Sequence, residues 1–491
     1  MNFTQLHHLI QNLNSAEHRQ VDNSFEDKES KYYQLYDHLV GQPLPFSEKL
    51  LKAFCLKINI SEGSLRTYRG RLSKQISRQL LLLDAKDNAF FQMQEHLTIA
   101  RIYIRKEAYE LADEELKKAE KLEKEIVHPG SRWEINSLRA RQLFQEDERS
   151  IEKELDRFHR VMQKAANDFQ QQVDINLIYQ KLFSHGMRQK KKAQKWQEII
   201  EGIKKIEFPS NASIETKVDY IAIQNRVHLY HKQPAEALKY SQLGFEIFEK
   251  NPHLKSNFPR YYITLLDHYI SSAAQMELFD LMRDLLGKLD EIITDDPLVA
   301  SKKQAAFIFH SLTLICYDTS TRDTLSIGTL EQLKTLYEQY ASRFLPSRRL
   351  SIDYLFCPSY LVRLDYGAAE DIADFFDIHV RNTKRPDLQR IIILVKNFLD
   401  VVVNEYENPE SIFQRDRNKL YDWGKESDYE VVVLRNIQNI RECPPTRAAK
   451  KEVYDKFKEE LLATADPHTQ KMHSGAILFD QLLTALKKRL K

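Results

Sequence analysis

The chain has 491 residues, with 73 Lys and Arg against 71 Asp and Glu, a formal net charge of +2. A balance this even excludes bulk electrostatic attraction to nucleic acid or anionic membrane as a property of the whole surface. Twelve glycines and fifteen prolines are few beside average usage of roughly 7% and 5%, which argues against turn-rich β architectures, whereas Leu, Lys, Glu, Gln, Arg and Ala dominate and favour helix.

The first 85 residues form a segment of their own character. Leu6, Leu9, Ile10 and Leu13 mark a short amphipathic helix. A polar stretch, 14–31, leads to a second helical face at Tyr32, Tyr33, Leu35 and Tyr36, which ends at Gly41-Gln42-Pro43. Ser47–Leu56 reads as helix and Asn59–Gly63 as turn. A long helix over Ser64–Leu83 then carries Leu65, Tyr68, Leu72, Ile76 and Leu80 on one face. The same helix carries Arg66, Arg69, Arg71, Lys74 and Arg78, with no acidic residue between Glu62 and Asp84. Helix, turn and basic helix in this order are what a DNA-reading segment needs to meet phosphates and base edges. The plainer reading is a capping hairpin whose cations stay in water.

From Phe90 onward the helices pair. Phe90–Ile104 and Tyr109–Ile126 make a first hairpin, closed by His128-Pro129-Gly130. Within it Ile99, Ala100, Tyr103, Ala112, Leu116 and Ala119 stand at the spacing of the tetratricopeptide signature. Small residues let the two helices approach and bulky ones fill the groove between them, so such a pair needs stacked neighbours to bury its apolar face. Trp133–Phe144 and Ser150–Gln172 follow, then Val173–Ser184 and Trp196–Ile206, with a basic run from Arg188 to Lys195 before the last. Glu215–Tyr230 pairs with Pro234–Glu249, and Pro259–Ala273 with Glu277–Ile293. Ala112, Ala237 and Leu278 keep no fixed register of roughly 34 residues, so the repeat is degenerate.

Beyond Pro297 the signature fades while helical patterns continue, at Ser301–Cys316, Leu330–Ser342 and on to Gly475–Leu490, with Pro346–Pro358 expected as a mixed connection. No Gly/Ser linker interrupts the chain. The expectation is an all-α, tetratricopeptide-like α-solenoid: an N-terminal helical cap over 1–85, repeats over 86–300, and further helical repeats over 301–491.

Ser15-Ala16-Glu17-His18-Arg19, then Tyr33–Asp37, then the Tyr109–Lys121 repeat occur in an order that resembles helical-repeat proteins of similar length from Bacteroidetes-type bacteria. The resemblance implies the helical fold and carries no activity with it.

Motifs for catalysis are missing from the sequence. It has no Gly-x-x-x-x-Gly-Lys-Ser/Thr loop, no Gly-x-Gly-x-x-Gly, no Gly-x-Ser-x-Gly and no His-Glu-x-x-His. His228 with His231, and Asp466 with His468 and His473, are loose sets that lack a complete ligand group. The expectation is no enzyme, no cofactor and no metal. Cys55, Cys316, Cys357 and Cys443 lie far apart without a Cys-x-x-Cys pair, which reads as free thiols in a reducing compartment. There is no secretory-type N-terminal pattern, and no apolar run nears the roughly 20 residues of a membrane span. A cytoplasmic protein without a membrane partner is expected.

What remains is binding. With Tyr103 as the aromatic key of the first hairpin, Arg101 and Arg105 face the concave side, and Arg226 and Tyr230 occupy the corresponding side of a later unit. Arginines there suit an acidic or carboxylate-bearing segment of another protein. The leading expectation is a non-catalytic scaffold or adaptor that binds protein through a helical-repeat surface. The alternative is a nucleic-acid-linked regulator that uses Arg66, Arg69, Arg71, Lys74 and Arg78.

Overall fold

A computed structural model describes residues 2–44, 46–142, 148–185, 200–231, 233–318, 327–362, 371, 435–436, 439 and 446–464. The basic run at 188–195, the loose set at 466–473, Cys443 and most of the helical patterns expected beyond residue 362 lie outside these residues. Everything described is helix, turn or coil, and no strand occurs among the described residues. The protein is all-helical. By compactness it divides into two units, one made of Met1–His228, Lys239–Leu265 and Ile293–Ala300, the other of Leu229–Leu238, Leu266–Ile292 and Ser301–Lys491.

The first unit opens with α1 (Phe3–Gln11), α2 (Ser15–Asn23), α3 (Lys31–Gly41), α4 (Glu48–Lys57) and α5 (Glu62–Asp87). Asn2 and Asn14 start α1 and α2 with reciprocal capping boxes, to Gln5 and Glu17, which satisfy amide groups left over at a helix start. Leu6, Ile10, Leu35, Leu39, Leu72 and Ile76 are completely buried in one cluster, each contributing about 1.5–3 kcal/mol of apolar transfer. Leu65, Tyr68 and Leu80 pack against it. The apolar stripe read on α5 is therefore its inward face. Gln75 ties the layers together: it accepts from the Tyr32 hydroxyl at 2.9 Å and donates to the Ser24 carbonyl at 3.2 Å.

Next come α6 (Ala89–Arg105), α7 (Tyr109–Ile126), α8 (Pro129–Gln142) and α9 (Glu148–His185). Each packs on the helix before it, and α6 also touches α8. Ala100, Ala112, Leu116 and Ala119 are fully buried, as their spacing required. Two boundaries differ from the expectation. Pro129 is the first residue of α8 rather than part of a hairpin closure, because proline at the first helical turn loses no hydrogen bond. Helices expected to end at Gln172 and restart at Val173 form one helix of 38 residues, since no Gly or Pro interrupts Gln171-Gln172-Val173-Asp174.

α10 (Ile214–Tyr230), α11 (Pro234–Lys250), α12 (His253–Asn257) and α13 (Pro259–Gln275) follow. Asn225, fully buried on α10, donates to Ser241 Oγ at 2.8 Å. Gly244 lets α11 close on its neighbours: a Cβ there would stand 2.7 Å from Leu265 Cδ2 and 3.1 Å from Ile221 Cδ1.

The second unit holds α14 (Phe279–Asp290), most of α15 (Pro297–Tyr317), α16 (Ile327–Tyr340), α17 (Pro346–Val362) and α18 (Arg447–Thr464). The expected connection at Pro346–Pro358 is helix throughout, with Pro358 inside it. Proline in a helix interior costs roughly 3 kcal/mol. Burial of Ile352, Tyr354, Leu355, Phe356, Cys357 and Tyr360 in the same helix outweighs that cost. Polar ties join the elements of this unit: Tyr360 donates to Glu331 at 3.0 Å, and Lys303 to the Asp290 carbonyl at 2.6 Å.

Three turns share one geometry. Asn59, Glu107 and Glu277 adopt the left-handed conformation, with φ of 55°, 59° and 57°. In each, the next residue donates back across the helix end: Ile60 to Cys55, Ala108 to Tyr103 and Leu278 to Ala273, at 2.9–3.0 Å. This bond satisfies a carbonyl that the last helical turn leaves open. It also explains why α14 begins at Phe279 and not at Glu277.

Candidate binding groove on α6 and α8

On α6, Thr98, Arg101, Ile102 and Arg105 are spaced three and four residues apart and so form one face. On α8, Glu134, Leu138 and Arg141 do the same. The contact of α6 with α8 brings these faces together around a groove of about 420 Å³ lined by Thr98, Arg101, Ile102, Ile104, Arg105, Leu138 and Arg141. Leu138 is buried and Ile102 exposed, so the floor is apolar and open to solvent. Three guanidinium groups stand around it.

Other arginines of α8 have acidic partners on α7. Arg132 reaches Glu123 at 2.8 Å and Arg139 reaches Glu120 at 2.7 Å. Burial pushes the Glu120 carboxyl up, but Arg139 and Lys124 outweigh it and hold the group below its ordinary value. Within the groove, Arg101 pairs with Glu134 across the two helices while keeping 45% of its side chain exposed. Arg105 and Arg141 form no ion pair among the described residues. The groove therefore holds more positive than negative charge, beside exposed apolar carbon. Its lining donates hydrogen bonds in a planar fork geometry suited to carboxylates and phosphates.

Arg101 and Arg105 are thus brought together as their spacing implied, with Arg101 partly engaged by Glu134. Arg226 is exposed on α10, within electrostatic reach of the Tyr179 hydroxyl, and it does not line the groove. The side chain of Tyr230 lies outside the described residues. Arg141 and Glu134 were not singled out from sequence. Their spacing from Leu138 was available, but which face of α8 meets α6 is a tertiary matter.

The basic helix α5 shows Arg66, Arg71, Lys74 and Arg78 exposed, while Arg69 is half-buried with its guanidinium 5.7 Å from the Phe3 ring. The His228 ring stacks on Tyr240 at 5.3 Å. Among the described residues no group of three or more His, Cys, Asp or Glu is placed to hold a metal, and no helix is long and apolar enough to cross a membrane.

No family model, no curated protein and no solved structure matches this chain.

Proposed function

We propose that the protein is a non-catalytic scaffold or adaptor whose α6–α8 groove receives an acidic, carboxylate-bearing segment of another protein. The observation that carries this reading is the convergence of Arg101, Arg105 and Arg141 on an open apolar floor. A carboxylate between two of these guanidinium groups gains charge-assisted hydrogen bonds of about 1.5–3 kcal/mol each. Ile102 and Leu138 offer apolar area to the side chain or backbone beside it.

A tetratricopeptide-like solenoid supplies the context. The order of packing from α6 to α9 and the small buried residues of α6 and α7 support it. A cytoplasmic setting fits the three buried free thiols, Cys55, Cys316 and Cys357.

The test is an array of peptides ending in Asp- and Glu-rich sequences, probed with the full chain. Binding that falls tenfold or more in R101A/R105A/R141A, with helical circular dichroism unchanged, supports the groove. Absence of binding to any acidic peptide, or equal binding by the triple variant, rejects it.

A further inference from the structure

The exposed cations of α5 gather on one face of a single helix. At about 100° per residue, Arg66, Lys74, Arg78 and Arg71 fall within an arc of about 140°, and they span about 18 Å along the axis. The apolar residues Leu65, Tyr68, Leu72, Ile76 and Leu80 occupy the opposite side, packed into the N-terminal core. In the same unit Lys118, Lys124, Arg132 and Arg139 are all ion-paired. None of the four exposed cations of α5 forms an ion pair among the described residues. Small residues separate them. A Cβ placed on Gly63 or Gly70, which share this face, would meet nothing within 4 Å.

We infer that this face of α5 is a docking surface for the phosphate backbone of a nucleic-acid duplex. Charge complementarity carries the choice of partner. Four unneutralised cations on a rigid helix oppose a polyanion that presents about one charge per 1.7 Å of duplex axis. The face holds no exposed aromatic ring among the described residues: Tyr68, the one aromatic residue of α5, packs against the core. Single-strand binding draws much of its energy from bases stacked on such rings, so the face favours duplex over single strand. The apolar side of α5 is covered, and among the described residues exposed apolar carbon on the helix is confined to Leu81 and Leu82 past the last of the four cations, which offers a lipid surface little area to bury. Arg69 is left out of the contact set, since it lies against Phe3.

The experiment uses the full chain and a fluorescein-labelled duplex of mixed sequence, about 20 base pairs long, titrated by anisotropy across a salt series. Four phosphate contacts predict a slope of log K against log salt of about −3.6, at about −0.9 for each. R66Q/R71Q/K74Q/R78Q is expected to lose binding, and R71Q or K74Q alone to lower the slope by about 0.9. R69Q is expected to keep the wild-type slope, and R101A/R105A/R141A to bind duplex as the wild type does, which separates this surface from the groove. The inference is overturned if wild type gives no anisotropy change at the lowest salt. Undiminished binding by the quadruple variant overturns it too, as does tighter binding to the matching single strand or to anionic vesicles.

Discussion

His310 donates from Nε2 to Asp267 Oδ1 at 2.7 Å, while its other ring nitrogen, Nδ1, is buried without a hydrogen-bond partner. The carboxylate accepts only, so this contact fixes the tautomer: the proton sits on Nε2 and Nδ1 carries a lone pair. Arg348 closes the group by pairing with both oxygens of Asp267, and its guanidinium lies 4.5 Å from the centre of the Phe309 ring. One carboxylate thus joins α13, α15 and α17.

That arrangement gives the second unit a pH dependence of known sign. Burial lowers the His310 value below its ordinary 6.5, and the hydrogen bond to Asp267 does not fully offset it. Below about that pH an unfolded chain takes up a proton that the folded ring refuses, so stability falls as pH drops from 6.5 toward the folded value. Burial also raises the Asp267 carboxyl, but Arg348 and His310 outweigh it and hold the group well below its ordinary 3.8. Its contribution is present above 3.8 and is lost as acid protonates it. Asp267→Asn should cost about 1–3 kcal/mol by leaving Arg348 and His310 short of an acceptor. Because Asp267 raises the His310 value, the variant should lose more stability than the wild type as pH falls from 7 to 5, while the further loss below about pH 4 that protonation of Asp267 causes should be absent from it; urea midpoints from pH 8 to pH 3 check both.

Ala112 is fully buried where α7 meets α6. Ala112→Leu adds three carbons to a close contact and should cost on the order of 1–3 kcal/mol. A melting temperature equal to that of the wild type would show that this crossing is looser than the burial of Ala112 indicates.

Gly244 should be intolerant of a branched side chain. Replacement by Ala gains helix propensity of about 1 kcal/mol but forces Leu265 to move from 2.7 Å, so the two effects nearly cancel. Gly244→Val cannot be relieved by that one shift and should lose about 1–3 kcal/mol. Chemical denaturation of the two variants side by side checks the difference.

Glu134 competes for Arg101 with any incoming carboxylate. Glu134→Gln removes this intramolecular rival from a pair that is partly exposed, where such pairs are worth about 0–1 kcal/mol. Affinity for an acidic peptide should therefore rise up to about fivefold, with little change in melting temperature. Weaker binding by the variant would mean that Glu134 itself belongs to the recognition surface.

Periodicity made most of the helices legible because they bury a face; α2, which buries only Val21, was read as part of a polar stretch, and α12 buries no residue. The register of α6 and α7 could be read because Ala100, Ala112 and Ala119 mark where backbones approach, and the inward stripe of α5 was equally plain. Helix ends were harder to read. Glu107 and Glu277 take a left-handed conformation that glycine usually signals, and the helix through Pro358 exists through burial against local preference. Of the groove, Arg101 and Arg105 could be seen as a pair one turn apart. Arg141 could not, because its place depends on the angle at which α8 meets α6, and Arg69 was counted among the exposed cations because sequence does not show Phe3 lying against it.

The turns at Asn59, Glu107 and Glu277 bear on how the chain reaches its structure. Each is closed by a bond between residues five apart in sequence, so the reversal forms without waiting for any distant segment. Helical hairpins joined in this way have low contact order, and their closure takes microseconds or less. A ribosome adds roughly 5–20 residues each second. The α6–α7 hairpin can therefore form and sample its own packing many times before α8 has been synthesised to cover it. During that interval Ile102 and Ile104 have no groove to line, and Arg101 and Arg105 beside them keep the nascent surface soluble.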